Sequence, residues 1–231
     1  MSTPTLNFLM AVSEGLAWAM QVSILVPMAV VWRRRRQFPP PVKLLSWYVY
    51  FSLLCSIGAR IAEVNLLPNW PMLAAFNFGK IALFGGVYYL VLRQWLVRRL
   101  VLASAVLTVA FGIYAMLWLD MRFVVTYARV LQCALLAAFA LAYLEQLSRE
   151  PPLGQLNHNP LFLLSVGQLL YSAGSVMYFS IGFVKLEPIY NKIYFGIPAA
   201  LGLVFNILLT MAFLRAQPEA ALHRTGTLAS A

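Results

Sequence analysis

The chain has 231 residues, of which 62% are hydrophobic and only 10% are charged, and its formal net charge is +10. A soluble domain carries about 25% charged residues, so this composition excludes an ordinary water-soluble fold. The basic residues cluster in short connections beside apolar runs, which argues against nucleic acid as a partner and for signals of membrane topology.

The apolar residues form long runs. A bilayer core of about 30 Å requires roughly 20 apolar residues in a helix. The sequence therefore predicts an all-α polytopic bundle of seven transmembrane helices over residues 1–214, with the lipid bilayer as its main partner. A short disordered cytoplasmic tail is predicted over 215–231. The predicted spans are 8–32, 42–64, 72–92, 100–119, 123–147, 161–184 and 189–214.

The first span is followed directly by Arg33, Arg34, Arg35 and Arg36, and no basic residue precedes it. Basic residues mark cytoplasmic connections. Further basic residues after odd-numbered spans are Lys43, Arg93, Arg98, Arg99, Arg149, Arg215 and Arg224, against Arg122, Lys185 and Lys192 after even-numbered spans. This asymmetry predicts an external N-terminus and a cytoplasmic C-terminus.

Prolines predict local interruptions along the chain. The run Phe38-Pro39-Pro40-Pro41 predicts a stiff extended connector between the first two spans. Pro27 and Pro198 lie inside the first and last spans, where kinks are tolerated in membrane helices.

Charged residues lie inside sequence that is apolar enough to cross a bilayer. An ionised side chain at the centre of a transmembrane helix costs roughly 2.5 kcal/mol or more, so such residues are usually functional or paired. In the second span, Ser52, Ser56, Arg60 and Glu63 recur at helical spacing and share one face. Asn77, Lys80, Phe84 and Tyr88 do the same in the third span.

Most of these polar groups fall in the outer half of the predicted bundle. If their faces converge, they outline an outward-facing pocket for a small ligand, which the excess of cations suggests is anionic. The candidate ligand-binding residues are Glu14, Arg60, Glu63, Asn77, Lys80, Arg129, Gln132, Tyr171, Ser175 and Tyr178. Structural ion pairs are the alternative interpretation, and the two carboxylates could instead carry protons.

The sequence lacks the residues that several known activities of membrane proteins require. A retinal protein needs a lysine midway along its last helix, but Lys192 lies at the outer end of that span. Paired intramembrane aspartates are excluded because Asp120 is the only aspartate, and the two histidines do not form a zinc site. Cys55 and Cys133 fall inside spans, which argues against a disulfide framework. We therefore expect no enzyme activity, no cofactor and no bound metal.

Short motifs give a resemblance to a known group. They are Ile61-Ala62-Glu63 before an asparagine-containing turn, Asn159-Pro160-Leu161-Phe162 opening the sixth span with Gly167, Tyr171 and Gly174 after it, and Asn206-Ile207-Leu208-Leu209. Over residues 42–214 the chain resembles small seven-helix membrane proteins of the kind found in Bacteroidota. It departs from them in the third span, where they tend to carry histidine and tyrosine. The resemblance implies a membrane sensor module and a location in the inner membrane of a bacterium.

Three functions remain open at this point. The leading hypothesis is a receptor-like sensor that binds a small ligand in the outer pocket and signals to a cytoplasmic partner. A transporter or channel that uses the intramembrane charges is the second hypothesis. A structural subunit of a membrane complex, in which the charges only pair internally, is the third. A homo-oligomer is compatible with each of them.

Overall fold

The computed structural model describes residues 3–118, 121–149, 156–181, 190 and 193–216. Its helices are α1 (Thr3–Ser23), α2 (Leu25–Arg34), α3 (Pro40–Val64), α4 (Trp70–Val91), α5 (Trp95–Trp118), α6 (Met121–Arg149), α7 (Pro160–Ile181) and α8 (Gly196–Arg215). Within these residues seven segments are long and apolar enough to cross a membrane, with α1 and α2 forming the first. The predicted all-α bundle of seven spans is confirmed. The tail beyond Ala216, Lys185 and Lys192 lie outside the described residues.

Proline accounts for the division of the first span into two helices. Pro27 has no N–H to donate to the carbonyl of Ser23, so the regular helix is interrupted at Ile24. It resumes at once, because the N–H of Met28 donates to the Ile24 carbonyl oxygen at 3.2 Å. The interruption lies near the middle of the span and is the kink that the sequence predicts.

The predicted extended connector is shorter than expected. Phe38 and Pro39 are extended, but Pro40 and Pro41 already belong to the first turn of α3. Proline is favoured at that position because its fixed φ suits a helix and the missing N–H would have no helical acceptor. A similar arrangement opens α7, where Asn159 Oδ1 accepts the N–H of Leu161 at 3.0 Å as an N-cap, beside Pro160.

Among the described residues, the helices pack into a ring that is open between α1 and α3. α8 packs between α7 and α1, α7 packs on α6, α6 on α4, and α4 on α3. α5 lies outside this ring against α4 and α6, and α2 packs against α8 and, at its end, α3. α1 and α3 are not closely packed against each other. The gap between these two helices is where the candidate site lies.

The alternation of helix directions gives the bundle two chemically different faces. The face where α2, α4, α6 and α8 end carries Arg34, Arg93, Arg149 and Arg215, and we call it the basic face. Two contacts show that these helix ends lie together. Arg34 donates to the Leu214 carbonyl oxygen at 2.8 Å, and the N–H of Arg93 donates to Gln146 Oε1 at 2.7 Å. The opposite face contains the start of α1. Which face meets the cytoplasm stays a prediction.

The half of the bundle next to the basic face is filled by side chains. Its buried core includes Val31, Leu45, Phe84, Val87, Tyr88, Leu136, Tyr143, Leu164, Leu209 and Phe213. Tyr88 and Ser165 join α4 to α7 through a buried hydrogen bond of 3.0 Å. A second cluster, around Phe78, Ile81, Ala105 and Val125, packs α4 against α5 and α6.

We expect Gly112→Ala to destabilise the packing of α5 on α4. Gly112 is buried, and a Cβ added there would overlap the ring of Phe78, which is itself 7% exposed. Overpacking of this kind costs about 1–3 kcal/mol, so the melting temperature in detergent should fall. Gly15→Ala is the control, because a Cβ there meets nothing within 4 Å. Equal melting of the two variants would contradict this packing.

Candidate ligand-binding site

A cavity of about 270 Å³ lies between α1 and α3 and extends inward to α4, α6, α7 and α8. It begins near Glu63 and Asn69, toward the face where α1 starts, and ends against the packed half of the bundle at Tyr48 and Phe205. Its polar lining residues are Gln21, Tyr48, Ser52, Ser56, Arg60, Glu63, Asn69, Lys80, Arg129, Tyr171 and Asn206. Ser52, Ser56, Arg60 and Glu63 therefore share the face of α3 that their spacing predicts.

Lys80 lies at the inner end of this cavity and is 1% exposed. Its Nζ lies 4.3 Å from the ring centroid of Tyr171, 4.9 Å from Phe205, 5.4 Å from Phe84 and 5.5 Å from Tyr48. Ring faces attract a cation, but they carry no net charge. Among the described residues the ammonium has no hydrogen-bond acceptor and no carboxylate partner.

Arg129 supplies a second cation to the same cavity. Its guanidinium stacks 4.8 Å from the ring centroid of Phe179, and it is within electrostatic range of Lys80. Cys133, one helical turn further along α6, is 1% exposed and electrostatically coupled to both cations. Both cysteines are free, and they lie on different helices.

Arg60 and Glu63 form the rim of the cavity. Arg60 Nη1 lies 2.5 Å from Glu63 Oε2, and the two side chains are 45% and 59% exposed. The Arg60 guanidinium also lies 4.4 Å from the ring centroid of Trp18, so it bridges α3 to α1. Exposed pairs of this kind contribute about 0–1 kcal/mol to stability. Their importance here is that Glu63 already has a cation and is not available to Lys80.

The charge balance of the cavity is therefore more positive than the sequence suggests. Its described lining contains Arg60, Lys80 and Arg129 against Glu63, an excess of two positive charges. The sequence predicted an excess of one because Glu14 was counted in the pocket. Glu14 is exposed on α1 and does not line the cavity. It lies six residues before Met20, the first lining residue of α1, which is about 9 Å further along the helix.

The structure separates the ten predicted ligand-binding residues into two groups. Five line the cavity: Arg60, Glu63, Lys80, Arg129 and Tyr171. Five do not: Glu14, Asn77, Gln132, Ser175 and Tyr178. Of these, Asn77, Gln132 and Ser175 are buried beside the site at 0%, 2% and 0% exposure, and Tyr178 packs against Phe179 and Phe195. The predicted pocket thus has a lining and a buried polar layer behind it.

The buried polar side chains of α4, α6 and α7 include atoms without a hydrogen-bond partner in the described part of the chain. Both polar atoms of Asn77, Gln132 Oε1 and Gln168 Oε1 have no hydrogen-bond acceptor or donor among the described residues. Gln168 donates to Ser172 Oγ at 2.8 Å with its other atom. Since nearly all buried polar groups in proteins are hydrogen-bonded, we expect water to reach this layer from the cavity.

No family model, curated protein or solved structure matches the chain. The function must therefore be argued from the site.

Two aromatic lining residues, Phe205 and Tyr48, were not predicted from the sequence, and both enclose Lys80. Asn206, an amide inside the last span that predicts a hydrogen bond between helices, donates to the Met20 carbonyl oxygen at 3.2 Å and to Ser23 Oγ at 2.7 Å, which holds α8 to α1. Tyr48 precedes Ser52 by four residues, so extending the polar face of α3 by one turn would have found it. Phe205 gives no comparable signal, because an aromatic residue does not stand out in an apolar helix.

The described residues do not support a metal centre. No group of three or more His, Cys, Asp or Glu side chains lies together among them. The cavity offers the cations Lys80 and Arg129 beside the Arg60–Glu63 pair, together with hydroxyl groups, amide groups and aromatic faces. It suits the binding of an anion.

Proposed function

We propose that the protein is a receptor-like membrane sensor that binds a small organic anion in this cavity. The observation that carries the proposal is Lys80, a buried ammonium that borders a cavity and has no anionic partner among the described residues. Taking such an ion out of water costs several kcal/mol. The four aromatic faces offset only part of that cost, and a bound carboxylate or phosphate would offset the rest.

Arg129 supports an anionic ligand further. It borders the same cavity, and its guanidinium offers several donors in a planar fork that suits a carboxylate. Hydroxyl groups of Ser52 and Ser56 can accept or donate hydrogen bonds beside it. Binding one anion between two like-charged side chains also relieves their mutual repulsion.

The position of α4 supports signalling across the bundle. This helix carries Lys80 at its middle and ends at the basic face, where its end contacts α6 through Gln146. A shift of α4 on ligand binding would change the arrangement of Arg93 and Gln146, and small helix shifts are a known means of switching. We propose that the basic face meets the cytoplasm of a bacterium and that a signalling partner reads the shift there.

The packed half of the bundle favours a receptor over a transporter. The core around Phe84, Leu136 and Phe213 fills the region between the cavity and the basic face among the described residues. Transport would require these side chains to separate. Binding requires no such change.

The test is a thermal-shift measurement of the purified protein in detergent. We expect sodium acetate or benzoate to raise the melting temperature above that in sodium chloride of equal ionic strength, because a ligand that binds the folded state stabilises it. Lys80→Met and Arg129→Gln should abolish or strongly reduce the shift. Arg149→Gln on the basic face removes the same unit of charge and should retain it. Equal shifts in all variants, or none in the wild type, would refute the proposal.

A further inference from the structure

The cavity has a side opening between α1 and α3. These helices line it from opposite sides, through Gln21 on α1 and Ser56 on α3, but they are not closely packed against each other. The first span is also the least covered of the seven, with 17% of its apolar window buried. A cation–π contact between Arg60 on α3 and Trp18 on α1 crosses this gap.

The depth of the opening places it within the hydrocarbon layer. Gln21 is the midpoint of the first span, which covers residues 5–37. Ser56 lies four residues from the midpoint of α3. Both residues line the cavity, and both are exposed. A polar group that faces lipid at this depth has no water to bond with, so an occupant that offers it a hydrogen-bonding partner would be favoured.

The lining changes from apolar to cationic across the cavity. The apolar wall consists of Met20 and Ile24 of the first span and of Met72 and Phe76 in the first two turns of α4, and the cations Lys80, further along α4, and Arg129 on α6 complete it. A molecule with an acid group and a hydrocarbon part would therefore match both regions. At about 270 Å³ the cavity is slightly smaller than the roughly 300–1,000 Å³ of sites for drug-sized ligands. It suits one apolar chain, not the two chains of a membrane phospholipid.

We propose that the ligand is a single-chain amphipathic acid that dissolves in the bilayer and enters sideways between α1 and α3. Its acid group binds at Lys80 and Arg129, and its chain lies along Met72 and Phe76. This inference rests on the proposed function, because it names the class of anion that the site takes and the route by which it arrives.

The test uses a photoreactive diazirine analogue of decanoate, with the protein in bilayer nanodiscs of phosphatidylcholine. We expect saturable labelling of peptides from α1, α3 or α4 that decanoate competes away and decanol does not. Lys80→Met should lower the labelling at least tenfold. Competition by decanol equal to that by decanoate would mean that the acid group is not recognised, and the proposal would fall.

A pair of variants on α3 tests the route. Ser56→Trp places a large ring in the opening, and Leu54→Trp places the same ring on the lipid-facing side of α3, where Leu54 is 69% exposed and does not line the cavity. We expect labelling to fall at least tenfold in the first variant and to remain unchanged in the second. Unchanged labelling in Ser56→Trp would overturn lateral entry.

A soluble acid separates failure of this inference from failure of the proposed function. Stabilisation by acetate that Lys80→Met abolishes, together with no competed labelling by the decanoate analogue, would overturn the amphipathic ligand and leave an anion sensor. If neither acid acts on the wild type, both proposals fall. Decanoate competition that depends on both Lys80 and the Ser56 position supports both.

Discussion

Lys80→Met is expected to raise the melting temperature of the protein when no anion is added. Methionine fills nearly the same volume as lysine but carries no charge, so the variant removes the desolvation cost of a buried ammonium. Replacing buried ions by well-packed apolar side chains is often neutral or stabilising by about 1–4 kcal/mol. Since the four ring faces around Lys80 offset part of that cost, we expect a gain of about 1–2 kcal/mol.

The measurement is a melt in detergent without added anion, beside the exposed control Lys43→Met, which should not change. The same Lys80 variant should lose the stabilisation by acetate. If Lys80 had a purely structural role, its replacement would lower both the melting temperature and the stabilisation by acetate. Early melting of Lys80→Met would therefore show that the charge stabilises the fold, and the structural-subunit hypothesis would gain.

Periodicity explains why much of this site could be predicted from sequence. In a membrane helix, residues that recur every three or four positions share a face whatever the rest of the fold does. Ser52, Ser56, Arg60 and Glu63 all border the cavity for that reason, and Lys80 and Phe84 share the buried face of α4. The high cost of charge in lipid then indicates that such faces turn inward.

Packing between helices explains what could not be predicted. Glu14 lies on the same side of α1 as Gln21, seven residues away, but about two turns further toward the helix start, beyond the cavity. Only the three-dimensional arrangement shows where along α1 the cavity begins. In the same way, the ring of Phe205 reaches Lys80 because the last helix, α8, packs between α7 and the first helix, α1.

The described residues also show which cation pairs with Glu63. Arg60 and Glu63 are three residues apart on one helix and can pair locally, which leaves Lys80 without that carboxylate. Sequence alone left open whether Glu63 pairs with Arg60 or with Lys80. The local pair forms on the exposed rim, and the buried lysine is the group that lacks a partner.

Phe205→Ala is expected to destabilise the protein and to weaken anion binding together. Phe205 is 3% exposed and packs against Tyr171 and Tyr48, with ring centroids 5.9 and 6.2 Å apart, and against Lys80. Phe→Ala in the core of a soluble protein costs about 3–5 kcal/mol, part of which is the transfer of apolar atoms from water. Lipid is as apolar as the core, so only the packing part remains, and we expect about 2–3 kcal/mol.

Phe111→Ala is the matched control. Phe111 is 57% exposed on α5, so this substitution removes the same atoms from a lipid-facing surface. We expect a melting temperature close to that of the wild type in this variant and an unchanged shift with acetate. Phe205→Leu should recover most of the stability, since it refills most of the space. If Phe205→Ala melts early but keeps the full acetate shift, the aromatic wall serves only packing. If the shift is lost and Phe205→Leu restores it only in part, the ring itself holds the Lys80 ammonium in its binding position.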